Sequence, residues 1–175
     1  MPLRDRYNDE PSSTRLLYAS TAVSTSVENS AIETTFDNAS VSVHGPDLRV
    51  GDVLEVIASV WIEDQNSTNT QTLKLYISTQ EIWSSGAITV ADNDVGYVHA
   101  FITITATGAG GYVSAQGVGI LGTAASAIPF WTDAVAESLA ATLDVKLTIR
   151  CSIKAADNKA TCKSFVVLRH TMDNR

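Results

Sequence analysis

Apolar and polar residues alternate strictly between positions 142 and 153. Every second position carries an apolar side chain, namely Leu143, Val145, Leu147, Ile149, Cys151 and Ile153. Because successive side chains of a β-strand point to opposite faces of a sheet, this pattern predicts a strand with one buried face. An amphipathic helix is excluded there, since its apolar residues recur at every third or fourth position.

Similar alternation recurs along the chain and predicts further strands. The expected segments are residues 14–23, 31–36, 39–43, 54–63, 71–78, 95–107, 111–121 and 160–169. Clusters of Gly, Pro, Asn and Asp separate them and are typical of turns. Half-buried strands at this spacing imply an antiparallel sandwich or barrel. We therefore expect an all-β chain of roughly eight main strands, forming one domain over residues 14–175.

One segment interrupts the β pattern. Thr132 to Ala141 is rich in alanine, and Asp133 is a residue type that caps helix N-termini. The segment is of marginal length for a helix, so we expect a short connecting turn or helix there.

Hydroxyl side chains supply much of the polar surface. The chain has 37 Ser and Thr among its 175 residues, whereas only 18% of the residues are charged. This composition is typical of extracellular β proteins and of viral shell proteins. No apolar stretch approaches the ~20 residues of a membrane-spanning helix, and the charged start lacks the apolar core of a secretory signal. We expect no membrane association.

The net charge of −7 is distributed unevenly. Residues 1–16 sum to zero, residues 17–145 sum to −12, and residues 146–175 sum to +5. The acidic middle argues against nucleic-acid binding, because phosphate contacts need clustered Lys and Arg. The basic end is expected to line the solvent face of one hairpin, with contact to an acidic partner as the alternative.

The first 13 residues differ from the rest of the chain. Charged side chains precede Pro11-Ser12-Ser13, and no apolar periodicity is present. This composition favours an extended N-terminal arm over residues 1–13 that docks on a partner, the alternative being a frayed terminus. Arg4, Arg6 and Tyr7 are the residues expected to anchor such an arm.

Several patterns match functional motifs without the context that those motifs require. Gly117-Val118-Gly119-Ile120-Leu121-Gly122 has the glycine spacing of a dinucleotide-binding loop, but Pro129 would end any following helix early. Glycines at alternate strand positions instead indicate close packing or a bulge. Asp92-Asn93-Asp94 predicts a plain turn rather than a calcium loop. We expect no cofactor, no metal site, no small-molecule ligand and no catalytic residues.

The histidines and tryptophans are further candidates for a functional site. His44, His99 and His170 are scattered along the chain, whereas a zinc site or a catalytic triad needs convergent partners. Three tryptophans, Trp61, Trp83 and Trp131, are expected in the core or at a subunit interface, with stacking on sugar rings as the alternative.

The two cysteines flank the turn at Ala156-Asp157. A hairpin centred on that turn would place Cys151 opposite Cys162, which opens the question of a cross-strand disulfide. The same register puts Phe165 and Val167 on the wrong face, so a bulge, or burial of both faces, would be needed. We expect two buried thiols, with the disulfide as the alternative.

The order of several segments resembles that of small jelly-roll structural proteins of tailed bacteriophages. Asn29–Phe36 is followed by the turn Leu48-Arg49-Val50-Gly51-Asp52, and later by Ser85–Val90. The strand at Leu143-Asp144-Val145 then precedes the closing segment Cys162–Val167. The resemblance covers residues 20–169 and rests on strand and turn patterns.

The resemblance implies a jelly-roll sandwich of two four-stranded sheets, usually trimeric. Such proteins serve as head decoration (cement) proteins, head fibres or receptor-binding tail tips. We therefore expect a non-enzymatic homotrimer, made in the host cytoplasm, that binds the major capsid protein on the outer surface of an assembled head. The alternative is a receptor- or glycan-binding tail-fibre or baseplate tip.

Overall fold

The computed structural model describes residues 13–20, 22–28, 30–64, 69–122, 128–154 and 158–171. This part of the chain forms twelve β-strands and one short 3₁₀ turn, and the strands pair in antiparallel fashion into two sheets. In the described residues, no helix is long and apolar enough to span a membrane.

Sheet A has seven strands and sheet B has five. The order in sheet A is β1 (Ser13–Ser20), β12 (Asn158–Thr171), β4 (Val53–Asp64), β8 (Asp94–Ala106), β9 (Tyr112–Leu121) and β10 (Ile128–Ala136), with β2 (Val27–Glu28) also beside β12. The order in sheet B is β3 (Thr34–His44), β11 (Thr142–Cys151), β5 (Thr70–Ile77) and β6 (Gln80–Ser84), with β7 (Ile88–Thr89) beside β5.

The apolar core lies between the two sheets. Sheet A contributes alternate residues such as Leu54 and Val56 of β4, and sheet B contributes Leu73 and Leu75 of β5. All four side chains are fully buried. Their neighbours along each strand point to the other side of the sheet. The expected antiparallel sandwich is therefore confirmed, in which each sheet has one buried and one outward face.

The expectation of roughly eight main strands was too low, since twelve are present in the described residues. The segments 31–36 and 39–43 join into the single strand β3, whose pairing with β11 shifts register between Lys146 and Thr148. The prediction of a helix or turn from Thr132 to Ala141 was wrong for the first half of that segment. These residues belong to strand β10, which pairs with β9. The register of β10 shifts between Thr132 and Val135, and this irregularity disrupts the alternation that would have identified a strand.

The expected hairpin between the last two long strands was also wrong. Strand β11 lies in sheet B and β12 lies in sheet A, so the chain crosses from one sheet to the other between them. Cys151 is paired with Gln71 and Cys162 with Val60, and the two cysteines are buried thiols without a disulfide. The basic residues of this region are accordingly divided between the two sheets.

A bulge is present beside Cys162, although the hairpin that would have needed either a bulge or burial of both faces does not form. The register between β12 and β4 shifts between Cys162 and Ser164, and burial changes from even-numbered to odd-numbered positions at that point. The bulge allows Phe165 and Val167 to join the core.

The arm expected over residues 1–13 lies almost entirely outside the described residues. Only Ser13 is described, as the first residue of β1, where it pairs with Thr171 of β12. Arg4, Arg6 and Tyr7 lie outside the described part of the chain.

Candidate interaction surface

The outward faces of the two sheets differ in chemistry. The face of sheet B carries a charged network in which Lys74 Nζ lies 3.2 Å from Glu33 and 2.9 Å from Glu81. The hydrogen bond from Lys74 to the carboxylate of Glu81 is the main reason why the pKa of Lys74 lies above its ordinary value. The ammonium groups of Lys74 and Lys146 also lie 5.8 and 5.7 Å from the ring centroid of Tyr76. These groups satisfy one another in water, which is typical of a solvated sheet face.

The outward face of sheet A carries large apolar and aromatic side chains among hydroxyl, amide and charged ones. We call it the apolar face and define it by the following outward residues, which lie among polar outward residues such as Thr14, Ser59 and Gln116: Leu16, Glu55, Ile57, Trp61, Val95, Tyr97, His99, Phe101, Val118, Trp131, Val166, Leu168 and His170. On β4, β8, β9 and the middle of β12, these residues alternate with buried residues. Leu16 and Trp131 lie on the same face because they pair with Leu168 and Gln116, and His170 lies there beside Glu55. Trp131 is 67% exposed, Leu16 56%, Val95 40% and Tyr97 37%, so this surface is open to solvent in the single chain.

One carboxylate, that of Glu55, lies among these apolar side chains. Its Oε1 accepts a hydrogen bond from Nε2 of His99 at 2.7 Å, and its Oε2 accepts one from Nε2 of His170 at 2.7 Å. Strands β8 and β12 flank β4 on either side, so Glu55 is held between one imidazole from each neighbour. This arrangement compensates a charge that would otherwise be costly on a weakly hydrated surface.

The pKa of Glu55 reflects this environment. Partial burial raises the pKa, but the hydrogen bonds and charges of His99 and His170 outweigh burial and lower it below the ordinary value of 4.5. The carboxylate therefore stays ionised at neutral pH and accepts both hydrogen bonds.

The other polar groups near Glu55 are also paired with one another. The hydroxyl of Thr14 lies 2.9 Å from Nδ1 of His170, so both ring nitrogens of that histidine have partners. The hydroxyls of Ser59 and Ser164 lie 2.7 Å apart on neighbouring strands. A surface whose polar atoms already satisfy one another loses little when a partner displaces its water.

An aromatic row runs along β8 beside this polar cluster. The ring centroid of His99 lies 4.8 Å from that of Phe101 and 6.4 Å from that of Tyr97. Aromatic side chains of this kind are enriched in protein interfaces because they offer a large contact area at a low cost in conformational entropy. The row is consistent with a surface that contacts another protein.

The structure corrects one expectation about the histidines and refines another about the tryptophans. The view of all three histidines as scattered was wrong, since His99 and His170 meet at Glu55. In the described residues, no group of three or more His, Cys, Asp or Glu side chains is arranged to hold a metal ion. Trp83 is buried in the core as expected, whereas Trp61 is half-buried and Trp131 is exposed on the apolar face.

The glycines of the dinucleotide-like motif serve packing, as expected. Gly117 and Gly119 lie within β9, which runs as a strand to Leu121. A Cβ atom added at Gly119 would overlap Cζ2 of Trp83, and one at Gly117 would overlap the carbonyl oxygen of His99. Asp92-Asn93-Asp94 forms a turn in which Asn93 has a φ of 65°.

Comparison with known proteins adds no family assignment. No protein-family model matches the chain, and no curated protein matches it either. The function of the chain therefore has to be inferred from its own surfaces.

Proposed function

We propose that this protein is a non-enzymatic virion structural protein, a decoration or cement protein that binds the outer surface of an assembled phage head as a homotrimer. The observation that supports self-association is the apolar face of sheet A. It is broad, it exposes several large apolar side chains in the single chain, and its carboxylate, that of Glu55, already accepts hydrogen bonds from two imidazoles. The occupant that we propose for this face is a second copy of the same chain.

The size of the apolar face supports this proposal. The whole outward side of sheet A, which contains the apolar face and the polar residues among it, covers roughly 900 Å² if its six long strands are ~4.8 Å apart and about 33 Å long. A standard protein interface buries about 800 Å² on each partner. The face is therefore large enough for a stable contact between copies.

The strand order supports the jelly-roll resemblance. A jelly roll has eight strands in two facing sheets, and its first and last strands are neighbours in one of them. Setting aside the short strands and the β9–β10 pair leaves β1-β12-β4-β8 opposite β3-β11-β5-β6. In this order the first and last strands, β1 and β12, are neighbours, as in a jelly roll, and β9 and β10 would then be an addition at the edge of sheet A.

The proposed partner is the major capsid protein of the same particle. A protein that binds the assembled shell but not its separate subunits stabilises the shell by mass action, without any catalytic site. In this proposal the N-terminal arm, with Arg4, Arg6 and Tyr7, contacts the capsid. Sheet A holds the trimer together.

The self-association proposal is tested by sedimentation velocity on the purified protein. Replacing both Tyr97 and Trp131 by Ser removes two exposed aromatic anchors of the apolar face, and we expect the trimer to dissociate at least tenfold more readily. The matched control is Ile153→Ser, which removes a 47% exposed apolar side chain elsewhere. A wild-type protein that stays monomeric at high concentration contradicts the proposal.

The head-binding proposal is tested by electron microscopy of particles incubated with the protein. We expect copies at regular positions over the icosahedral shell. Removal of residues 1–12 is expected to leave the trimer intact and to abolish this coat. Copies confined to the end of a tail contradict a cement role.

One observation favours the alternative, a glycan- or receptor-binding tip. The indole of Trp131 is 67% exposed, and its Nε1 donates a hydrogen bond to Asp133 Oδ1 at 2.5 Å, which fixes the ring. Thr103, Ser114 and Gln116 line a small hollow of ≈ 100 Å³ with this tryptophan. A fixed, exposed indole beside polar groups suits stacking on a sugar ring. Glycan-array binding that is lost in Trp131→Ser, in a protein that remains oligomeric, would support this alternative.

A further inference from the structure

A second feature of the molecule is a cleft at the end of the sandwich where β1 begins and β12 ends. We call it the arginine cleft. It has a volume of ≈ 400 Å³, and its lining includes Arg15, Arg49, Arg169, Asp47, Asp52 and Thr171. The Leu48-Arg49-Val50-Gly51-Asp52 turn supplies two of these residues, and Gly51 has a φ of 93°, which glycine adopts without strain. The turn motif thus contributes to a surface that the proposed function does not use.

The guanidinium of Arg169 already has hydrogen-bond partners within the protein. Its Nε donates to Oδ2 of Asp52 at 3.1 Å and its Nη2 donates to the same oxygen at 2.6 Å. Nη2 also donates to the carbonyl oxygen of Asp47 at 2.5 Å. The side chains of Arg169 and Asp52 are 14% and 1% exposed, so this pair forms the inner wall of the arginine cleft.

The guanidinium groups of Arg15 and Arg49 differ from that of Arg169. Both side chains are exposed, and within the described part of the chain neither guanidinium has a hydrogen-bond or ion-pair partner. Arg15 lies directly opposite Arg169 in the pairing of β1 with β12. Like charges at directly opposed positions of an antiparallel pair repel each other, because their Cβ atoms lie only about 5 Å apart. Arg15 therefore lies beside a second cation, while its own guanidinium has no anionic partner within the described residues.

The charges around the arginine cleft define what fits it. Three arginines against Asp47 and Asp52 leave a sum of +1, in a protein whose total charge is −7. The carboxylate of Asp47 is partly engaged, since Nδ1 of His44 lies 3.3 Å from it. A ligand with a single negative charge would bring this sum to zero, whereas a doubly charged phosphate would leave an excess of negative charge beside Asp52.

We infer that the arginine cleft binds a carboxylate group, of the kind carried by a Glu or Asp side chain on a partner protein. Guanidinium groups bind carboxylates through two parallel N–H···O bonds, and Arg15 and Arg49 have all their donors available for this. The bound carboxylate would also relieve the repulsion between Arg15 and Arg169. This inference does not depend on the proposed function, because the arginine cleft and the apolar face use different residues.

The inference is tested by titrating the full-length, isotope-labelled protein with a capped Ala-Glu-Ala tripeptide while the arginine Nε–H signals are followed by NMR. We expect saturable shifts for Arg15 and Arg49, weaker binding of inorganic phosphate, and no saturation with the matched Ala-Gln-Ala tripeptide. A protein carrying both Arg15→Gln and Arg49→Gln is expected to bind the Glu tripeptide at least tenfold more weakly. A control that removes one positive charge outside the arginine cleft, Lys163→Gln on the exposed bulge of β12, should bind like the wild type.

The melting temperature of the unliganded protein provides a second test. If Arg15 only supported the fold, its replacement would lower this temperature, whereas the inference predicts no decrease. Arg15→Gln removes a repelling charge, so we expect an unchanged or higher melting temperature for the unliganded protein. A lower melting temperature would indicate that Arg15 supports the fold and would overturn the inference. Unsaturated shifts with the Glu tripeptide, equal binding of the Gln tripeptide, or tighter binding of phosphate would also overturn it.

Discussion

Nε2 of His99 lies 2.7 Å from Oε1 of Glu55, although the two residues are not directly opposite each other in the sheet. Glu55 pairs with Phe101 and His99 pairs with Ile57, so the contact is diagonal across β4 and β8. Diagonal neighbours lie within reach when the side chains are long. The Glu55 carboxylate is only 14% exposed on the apolar face, so few water molecules can hydrate it. The hydrogen bond from His99 replaces part of that hydration.

This contact predicts a pH dependence of stability. The pKa of Glu55 is lowered on folding, so its contribution to the free energy of unfolding is fully present above about pH 4.5 and is lost as the pH falls through the lower, folded-state pKa. Denaturant unfolding between pH 7 and pH 3 should therefore show a smaller loss of stability below pH 4.5 in Glu55→Gln than in the wild type.

The comparison with Glu55→Gln isolates this one carboxylate. Glu33 and Asp37 also have lowered pKa values and add to the acid sensitivity of both proteins. Parallel pH profiles for the wild type and Glu55→Gln would show that the two histidines do not stabilise the ionised carboxylate in the fold.

The contact between Gly119 and Trp83 predicts a large effect of a small substitution. A Cβ atom at position 119 would overlap the indole of Trp83, which packs between β9 and Phe130. We expect Gly119→Ala to lower the free energy of unfolding by about 1–3 kcal/mol through overpacking. Calorimetry or denaturant unfolding measures this difference.

A matched control separates overpacking from a general effect of adding a methyl group. Gly110 has open space within 4 Å of its added Cβ, so Gly110→Ala should change stability little. Replacing Trp83 by Leu in the Gly119→Ala background should recover part of the loss relative to the two single changes. Strict additivity of the two substitutions would refute the proposed clash.

The sequence predicted the interior strands of each sheet better than the edges. Strands β4, β5, β8 and β11 have a neighbour on either side and one face in the core, so their burial enforces alternation. Strand β10 lies at the edge of sheet A, and its exposed positions allowed the polar and small residues that suggested a helix. The hairpin expected between β11 and β12 failed because nearness in the chain does not specify which sheet a strand joins.

The candidate surface was less predictable than the fold. Glu55, His99 and His170 lie on three different strands, and their meeting depends on which strands are neighbours and in what register. Alternation fixes the face on which a side chain lies but not the residue beside it. Two signs of this face were present in the sequence: apolar residues at outward positions of β4, such as Ile57 and Trp61, and the aromatic residues Tyr97 and Phe101 at outward positions of β8.

Burial of Cys162 predicts a thiol that does not react in the folded protein. Loss of hydration raises the pKa of this thiol to about 12, so almost no thiolate exists near pH 8. Cys151 is buried as well. We expect a disulfide reagent at pH 8 to modify neither thiol in the native protein within the time in which it modifies both in denaturant. Rapid modification of one thiol per chain under native conditions would contradict the burial of these residues.

The buried ion pair between Asp52 and Arg169 predicts a strongly destabilising single substitution. Asp52 accepts hydrogen bonds from the guanidinium of Arg169 and from the backbone N–H of Arg49, and its side chain is 1% exposed. Removing one partner of a buried ion pair leaves an uncompensated charge, so Asp52→Ala should lower the free energy of unfolding by roughly 3–5 kcal/mol. The matched control is Asp47→Ala, because the carboxylate of Asp47 is 70% exposed and its loss should cost less than about 1 kcal/mol. Equal effects of the two substitutions in denaturant unfolding would show that the buried pair does not stabilise this end of the sandwich.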